Sequence, residues 1–300
     1  MAVDKRRHCN PAKTGSVKSI RRCHIAACVF GVLAVGVSHL LLLNDGADAA
    51  ELSARDVTMQ LHKANVGEAP AFTDMDLSFL DLAGLDFKSA DLTGADLYGT
   101  DLTGANLIGA NLSETRLDRA TLIRTNFSEA NLEEATLLRP NIFSTLAFSP
   151  YDVARFTNAR LVNARLIGFF KNVNFRGADL SGANFAPLRD RPDTIGTVGR
   201  TQMTAADFTG AVARSTNFRQ AIVDFGSFVD ADLTNANFKR ADLSRANFTG
   251  ANVAGADFTD AILDGANLTD VKGLETAKGL NIALGSQVDQ PDSPGVRTAQ

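Results

Sequence analysis

Six aspartates at intervals of five residues are the first feature of this sequence that could do chemistry. They lie between positions 76 and 101: Asp76, Asp81, Asp86, Asp91, Asp96 and Asp101. Carboxylates held close together can act as a general acid and base, or can bind a cation. A catalytic pair needs one carboxyl whose pKa is raised by burial, whereas aspartates spaced among glycine and polar residues are expected to be solvated. We therefore interpret them as structural and predict no catalytic and no metal-binding residue.

Other chemical motifs are absent from the sequence. It contains no HExxH motif, no GxSxG motif, no glycine-rich phosphate loop and no GGxGxD calcium repeat. All three cysteines, Cys9, Cys23 and Cys28, precede residue 50, and His62 is the one histidine that follows it. We predict that the protein is not an enzyme, uses no cofactor and takes no small-molecule substrate.

The aspartates belong to a longer pattern with a period of five residues. From Phe72 to Ile142 an apolar residue recurs at every fifth position, often with a small residue two positions earlier and Asp or Asn between them. An α-helix turns about 100° per residue, so such residues would form no apolar stripe. A flat strand alternates its side chains and would send them to opposite faces. The chain must therefore bend regularly, so that each unit points its apolar and small residues into one narrow interior.

The apolar residues alternate in type in the C-terminal half. Phe occurs at every tenth position from 208 to 258, and aliphatic residues lie between. If four units complete a turn of twenty residues, Phe208 stacks on Phe228, and like residues lie on like in every column. An odd number of units would not allow this, so we predict four units per turn. The predicted structural core includes Leu92, Leu97, Leu102, Leu107, Leu112, Phe208, Phe218, Phe228, Phe238, Phe248 and Phe258.

The repeated unit resembles the A(D/N)LXX motif of the pentapeptide-repeat family, and the resemblance covers about two thirds of the chain. It implies an all-β fold, a right-handed quadrilateral (four-sided) parallel β-helix solenoid, to which we add short helical caps. Some relatives, the quinolone-resistance proteins, are dimeric rods whose acidic surface imitates DNA and binds type II topoisomerase. The resemblance thus leaves an acidic DNA-mimicking binder of a type II topoisomerase as an alternative function.

The chain divides into seven predicted segments. Residues 1–49 carry seven Lys and Arg, an apolar run and an Ala-Asp-Ala cleavage pattern, which indicate a signal peptide, or a signal anchor if uncleaved. The others are an N-terminal cap with a short helix (50–70), the β-helix (71–185), an insertion loop (186–207), the β-helix continued (208–270), a C-terminal cap (271–285) and a disordered tail (286–300).

The repeat is irregular at three places. Ile142 and Phe156 are fourteen positions apart where fifteen would keep the register, and Leu166 and Phe175 are nine apart where ten would. We predict a one-residue slip or bulge at each. The stretch 186–207 contains Pro, Gly and Arg, which favours a loop that leaves the coils. Its charged residues are the candidate interaction residues: Arg189, Asp190, Arg191, Asp193 and Arg200.

The charge distribution argues against nucleic-acid binding. Residues 50–150 contain seven Lys and Arg against 15 Asp and Glu, and residues 151–285 contain 15 against 14. We predict an exported, periplasmic protein, with a membrane anchor facing the periplasm and the thylakoid lumen as alternatives. The predicted function is a non-enzymatic scaffold or protein-interaction module with an unidentified protein partner. Membrane contact is expected only with an uncleaved signal, and a homodimer stays open.

Overall fold

The structure is a computed structural model that describes residues 52–64, 69–87, 89–142, 152–188 and 199–280. Every described residue belongs to one compact unit of the chain, Asp48–Gln300. The predicted signal segment and the predicted disordered tail lie outside the described residues. Over the ranges given above, no helix is both long enough and apolar enough to cross a membrane.

The first element is α1, Ala54–Lys63, at the position where the sequence predicts a helix. The Ser53 hydroxyl accepts a hydrogen bond from the backbone N–H of Asp56, and the Asp56 carboxylate accepts one from the backbone N–H of Ser53. This capping box satisfies N–H groups that a helix start leaves without partners. Val57 and Leu61 are buried and belong to the same apolar core as Phe72, the first core residue of the repeat. These two side chains therefore anchor α1 to the core.

The five-residue units stack as parallel coils, most of them twenty residues long. Backbone bridges join Ala71 to Asp91 and Asp91 to Asn111, and the same spacing recurs along the chain. The described residues contain two extended strands, β1 at Thr136–Leu138 and β2 at Arg165–Ile167, which pair in parallel. Elsewhere, single bridges alternate with tight turns. The result is a β-helix-like solenoid with very short strands.

Every backbone N–H in a regular unit has an acceptor, as residues 92–96 illustrate. Three N–H groups, those of Leu92, Gly94 and Asp96, bond to neighbouring coils at 2.7–2.9 Å. The N–H of Ala95 closes the turn with a bond of 2.9 Å. The fifth N–H, of Thr93, donates to Oδ1 of Asp91 at 3.1 Å. Because a backbone N–H without a partner is costly, an Asp or Asn at this position of a unit completes the hydrogen bonding that the coil itself leaves open.

Four columns of buried side chains run through the coils, with one residue of each column per coil. We name them column A, which contains Leu92, column B, which contains Leu97, column C, which contains Leu102, and column D, which contains Leu107. The eleven core residues predicted from the repeat are all at most 1% exposed. Alanines two positions earlier, such as Ala90, are buried beside them.

The phenylalanines form two stacks. In column D, Phe228 lies parallel to Phe208 and Phe248 with ring centroids 4.9 Å apart. In column B, Phe238 stacks in the same way on Phe218 and Phe258, at 4.9 and 5.0 Å. Rings of the two columns meet edge to face at 5.7–6.1 Å. The prediction that like residues stack on like every twenty positions is confirmed for these rings.

The irregularity after Ile142 is an insertion, so the predicted slip is wrong. Asn126 pairs with Arg155, which lies 29 positions later instead of twenty. Phe156 stacks on Phe127 at 4.9 Å, so it belongs to the unit that directly follows Ile142. Fourteen positions therefore contain one unit of five and nine extra residues. Spacing alone cannot distinguish this arrangement from three units with one residue missing.

The second irregularity is a shortened unit, as predicted. Arg155 pairs with Asn174, nineteen positions later, because one unit after β2 has four residues. Gly168 lies in this unit, and a Cβ there would lie 3.2 Å from both the Arg139 backbone and the Pro140 ring. The shortened unit thus coincides with a close approach of two coils that glycine permits.

The insertion loop is shorter than the predicted range 186–207. Gln202 pairs with both Phe169 and Ile222, and Met203 is buried in column C. The Thr201 hydroxyl, also buried, donates to the Phe185 carbonyl at 2.7 Å. The coil therefore resumes at about Thr201. In this unit Thr and Met replace the usual Ala and Leu, so the sequence does not show the repeat there. At the other end, bridges continue to Lys272 and Lys278, inside the range predicted as a cap.

Candidate interaction surface

The evenly spaced aspartates are engaged by the backbone. Five of the six accept a hydrogen bond at Oδ1 from the N–H two residues later, at 2.8–3.1 Å: Asp76, Asp81, Asp91, Asp96 and Asp101. These hydrogen bonds agree with the interpretation of the aspartates as structural. Hydrogen bonds from the side chain and backbone of Ser78 lower the pKa of Asp76, and those from Thr93 lower the pKa of Asp91. A general acid would need a raised pKa.

A metal site is not found in the part of the chain that the structure describes. Within it, no group of three or more His, Cys, Asp or Glu side chains is arranged to hold an ion. The six aspartates lie one per five-residue unit, and the second carboxylate oxygen of Asp96 pairs with Arg116 at 2.8 Å. These carboxylates can therefore accept hydrogen bonds from the backbone and form ion pairs with basic side chains of the same chain.

Of the five predicted loop residues, Arg200 is the one that the structure describes, and it lies on the coils. Its Nε donates to the Gln220 carbonyl at 2.5 Å, and its Nη2 donates to the Arg240 carbonyl at 3.2 Å. The guanidinium therefore connects its own coil to the next two. Its assignment to an interaction loop is corrected to a structural role. The remaining four, Arg189, Asp190, Arg191 and Asp193, lie outside the described residues.

Two exposed phenylalanines depart from the residue pattern of the repeat. The second residue after each core position has a positive φ, and Gly94 at 68° is a favourable example. Phe79 and Phe225 occupy the same position with φ of 59° and 58°. Bulky residues rarely adopt this conformation, and these two rings are also 73% and 52% exposed. Neither coil geometry nor the core explains an aromatic residue at these positions.

Phe79 begins an aromatic cluster on the outward side of column B. Its ring meets the Tyr98 ring edge to face, with centroids 5.3 Å apart. The ring lies against Gly99 of the next coil, where a Cβ would come within 2.9 Å of it. The Arg116 guanidinium lies 4.3 Å from the Tyr98 centroid, and that of Arg119 lies 6.0 Å from it. Glycine therefore makes room for Phe79, and arginine covers Tyr98.

The cluster continues along the coils as a group of arginines. We define the aromatic–arginine patch as Phe79, Tyr98, Arg116, Arg119 and Arg139. Arg119 and Arg139 lie in adjacent coils, since the Arg119 N–H donates to the carbonyl of Leu138 at 2.9 Å.

The arginines of the patch differ in how they are neutralised. Arg116 is paired with Asp96 at 2.8 Å and with Asp118 at 3.6 Å. Among the described residues, neither Arg119 nor Arg139 forms an ion pair. The patch therefore presents one exposed aromatic ring and two positive charges that the described coils leave uncompensated.

The residues of this patch were not predicted as a site, although the sequence contains a signal for it. Once the repeat is aligned in twenties, Phe79, Gly99, Arg119 and Arg139 fall in one column of turn positions. Phenylalanine is unusual at this position. The two arginines bring two positive charges to the same position of adjacent coils. Aligning the sequence every twenty residues, which predicts the stacked core residues, therefore also identifies the unusual residues at these outward positions.

Comparisons with known proteins agree with the repeat. Residues 72–107, 100–137, 154–186, 201–240, 227–265 and 241–272 match the model of the family described as pentapeptide repeats, in eight copies. No curated protein matches the sequence significantly.

Several solved structures are similar to this chain. HetL, a pentapeptide repeat protein involved in heterocyst differentiation regulation in the cyanobacterium Nostoc, is 25% identical over 75% of this chain and 96% of its own, with a TM-score of 0.30. A pentapeptide repeat protein of the Arabidopsis thaliana thylakoid lumen is 27% identical over 44% and 83%, with a TM-score of 0.24. QnrB1, a plasmid-mediated fluoroquinolone resistance protein, is 19% identical over 67% and 92%, with a TM-score of 0.28.

The family matches cover more than half of the chain, and they coincide with the coils. The two gaps between matched ranges, 138–153 and 187–200, contain the two insertions found in the coils. The chain belongs to the pentapeptide repeat family.

Proposed function

We propose that this chain is an exported, non-enzymatic scaffold that presents the outward side of its coils to a protein partner. One observation carries the proposal: the repeated polar side chains are occupied in holding the backbone. Asp91 accepts the Thr93 N–H at 3.1 Å, and Asn247 accepts the Thr249 N–H at 3.0 Å in the other half of the chain. Side chains used in this way support a rigid frame, and solenoids of this kind offer extended surfaces for binding.

The finer architecture in this proposal is a right-handed, four-sided β-helix in which α1 is the N-terminal cap. Bridges at intervals of twenty residues and the four buried columns support four sides. Burial of Val57 and Leu61 in the core supports a capping role for α1. A cap is physically required, because an open end would expose unpaired backbone groups to other chains.

Export is proposed from the N-terminal segment of the sequence. Basic residues before an apolar run, followed by Ala47-Asp48-Ala49, favour cleavage before Ala50. The periplasm is the proposed location, and the thylakoid lumen is the counterpart in a photosynthetic cell. N-terminal sequencing of the protein isolated from its native cell tests this point. A mature chain that begins near Ala50 is expected, and a cytosolic chain that begins at Met1 would contradict export.

The scaffold itself is tested by crosslinking the full chain in the native envelope, followed by mass spectrometry. We expect a reproducible partner crosslinked to outward residues of the coils, and no loss of that partner when Asp91 is changed to Asn. Absence of any specific crosslinked protein would contradict the proposal. Inhibition of DNA supercoiling by the purified chain, together with a cytosolic location, would contradict it in favour of a topoisomerase binder.

A further inference from the structure

We propose that the aromatic–arginine patch is the docking site of the scaffold, and that it binds an acidic protein segment with an apolar anchor residue. The inference rests on the proposed function and names the surface and the chemistry of the partner. Phe79 and Tyr98 receive the apolar anchor. Arg119 and Arg139 receive carboxylates of the same segment.

The anchor site follows from the position of Phe79. Its ring is 73% exposed and its backbone has a φ of 59°, a conformation that is unfavourable for a bulky residue. Strained residues persist where function requires them. The ring is also fixed in place, by the edge contact with Tyr98 at 5.3 Å and by the surface of Gly99 behind it. A fixed, exposed aromatic ring next to tyrosine and arginine has the composition of a binding hot spot.

The carboxylate sites follow from the charges. Arg119 and Arg139 lie in adjacent coils and form no ion pair among the described residues. Several other exposed arginines of the coils are paired, as Arg160 is with Glu133 at 2.8 Å and Arg214 with Asp232 at 2.6 Å. The backbones of Arg119 and Arg139 lie one coil apart, and no described residue compensates either charge, so carboxylates of a partner can pair with both. Guanidinium groups bind carboxylates in a bidentate manner.

The coil spacing sets the spacing of the partner's residues. Stacked rings in successive coils are 4.9–5.1 Å apart, which measures the rise of one coil. Phe79 is two coils from Arg119 and three coils from Arg139, or roughly 10 and 15 Å at the rise of about 5 Å expected between bridged chains. An extended chain advances about 3.3 Å per residue. Side chains alternate between the two faces of an extended chain, so residues on the anchor's face lie an even number of positions from it. The partner segment should therefore carry acidic residues two and four positions from its anchor, roughly 7 and 13 Å away, and the long arginine side chains can cover the remaining distance.

A polyanion fits the patch less well than an acidic segment. Proteins that bind duplex nucleic acid neutralise about 6–10 phosphates, and membrane-binding basic clusters contain about 4–8 Lys or Arg. The patch has two arginines that form no ion pair with a described residue, and the third, Arg116, is already neutralised by Asp96 at 2.8 Å. Asp118 lies beside them as well, 3.6 Å from Arg116, and would repel a continuous line of negative charge.

The test measures binding of a labelled probe peptide to the full chain by fluorescence anisotropy. The probe has one Phe and two Glu residues, two and four positions after the Phe, in a neutral Gly-Ser background. Two control peptides carry Lys in place of Glu, or Ser in place of Phe. We expect the probe to bind at least about tenfold more tightly than either control, since both the anchor and the charges contribute.

Variants of the chain locate the binding site. Phe79→Asn, and the double change Arg119→Gln with Arg139→Gln, are each expected to weaken probe binding at least about tenfold. Asn is favoured at positive φ, so the first variant removes the ring without disturbing the turn. Phe225→Asn is the matched control, because Phe225 has the same backbone conformation and lies near Arg245, at 5.2 Å. It should leave probe binding unchanged.

The outcomes separate this inference from the scaffold proposal. Equal binding of the three peptides, or equal loss in Phe79→Asn and Phe225→Asn, would overturn the docking site. Tighter binding of anionic lipid vesicles or single-stranded RNA than of the probe, lost in the arginine variant, would also overturn it. If the envelope partner crosslinks to coils far from the patch, the docking site fails while the scaffold stands. If no envelope partner is found, the scaffold proposal fails.

Discussion

Replacing Asp91 tests whether the repeated aspartates serve the backbone. Oδ1 of Asp91 accepts hydrogen bonds from the Thr93 N–H at 3.1 Å, the Thr93 hydroxyl at 2.5 Å and the Asn111 amide at 3.2 Å. Asp91→Ala leaves the half-buried N–H without an acceptor, which should lower the free energy of unfolding by about 1–3 kcal/mol. Asp91→Asn keeps the acceptor oxygen, as Asn111 does one coil further on, where it accepts from Ser113 N–H at 3.3 Å. It should therefore change stability by no more than about 0.5 kcal/mol.

The assay is urea unfolding followed by far-ultraviolet circular dichroism at several pH values. The side-chain and backbone hydrogen bonds from Thr93 lower the pKa of Asp91 below its ordinary value of 3.8. A folded-state pKa below the unfolded one contributes stability above pH 3.8, and this contribution is lost as the pH falls through the lower value. The Asp91→Asn variant lacks this contribution, so the wild-type chain should lose more stability on acidification. Equal destabilisation by Ala and Asn at pH 7 would refute the acceptor role.

Three further substitutions test the packing of the coils, each by urea unfolding against the wild-type chain. Phe228→Ala removes a ring stacked at 4.9 Å between two others, and should cost about 3–5 kcal/mol; a loss below about 1 kcal/mol would contradict the stacked column. Thr100→Val removes a buried hydroxyl that donates to Leu77 O at 2.7 Å, and should cost about 1–2 kcal/mol, whereas a neutral result would show that this bond contributes nothing. Arg200→Met should cost about 1.5–3 kcal/mol and increase hydrogen exchange near Gln220, and unchanged exchange would contradict its role as a connection between coils.

Much of the fold could be predicted because the repeat has a period that neither helix nor flat strand permits. The five-residue spacing places Leu92 and its equivalents inside, and the alternation of Phe208 with aliphatic residues indicates four units per coil. These inferences depend on the apolar interior, which tolerates few residue types. The interior is therefore the part of this structure that the sequence specifies most directly.

The insertions were harder to predict because register is ambiguous wherever the repeat lapses. Fourteen positions between Ile142 and Phe156 fit a slip as well as an insertion, and the stacking of Phe156 on Phe127 decides between them. Met203 and Thr201 fill core positions that usually hold Leu and Ala, so their unit was assigned to a loop. Core residues of unusual type therefore obscure in the sequence where the coil resumes, whereas the hydrogen bonds of the structure show it directly.

The outward side was predicted least well because solvent accepts many residue types. The sequence directed attention to charged residues of the insertion, and the one described, Arg200, bonds to backbone carbonyls instead. The patch around Phe79 depends on which residues lie one coil apart, and that relation appears only once the coil length is known. Prediction of such a surface from sequence therefore needs the fold first.

A disulfide crosslink tests the twenty-residue coil most directly. The hydroxyls of Thr93 and Ser113 are 3.4 Å apart on adjacent coils. Bridged chains lie about 4.8 Å apart, inside the Cα separation of roughly 4.4–6.8 Å that disulfides span, so cysteines at these two positions can bond. Cysteines replace Thr93 and Ser113 in one variant and Thr93 and Ser128 in the other, in a full chain whose three native cysteines are changed to Ser. Under mild oxidation, a coil of twenty residues should give an intramolecular disulfide in the 93/113 variant and none in the 93/128 variant, as measured by mass spectrometry. A disulfide in the 93/128 variant, or its absence from the 93/113 variant, would contradict a chain that returns to the same place every twenty residues.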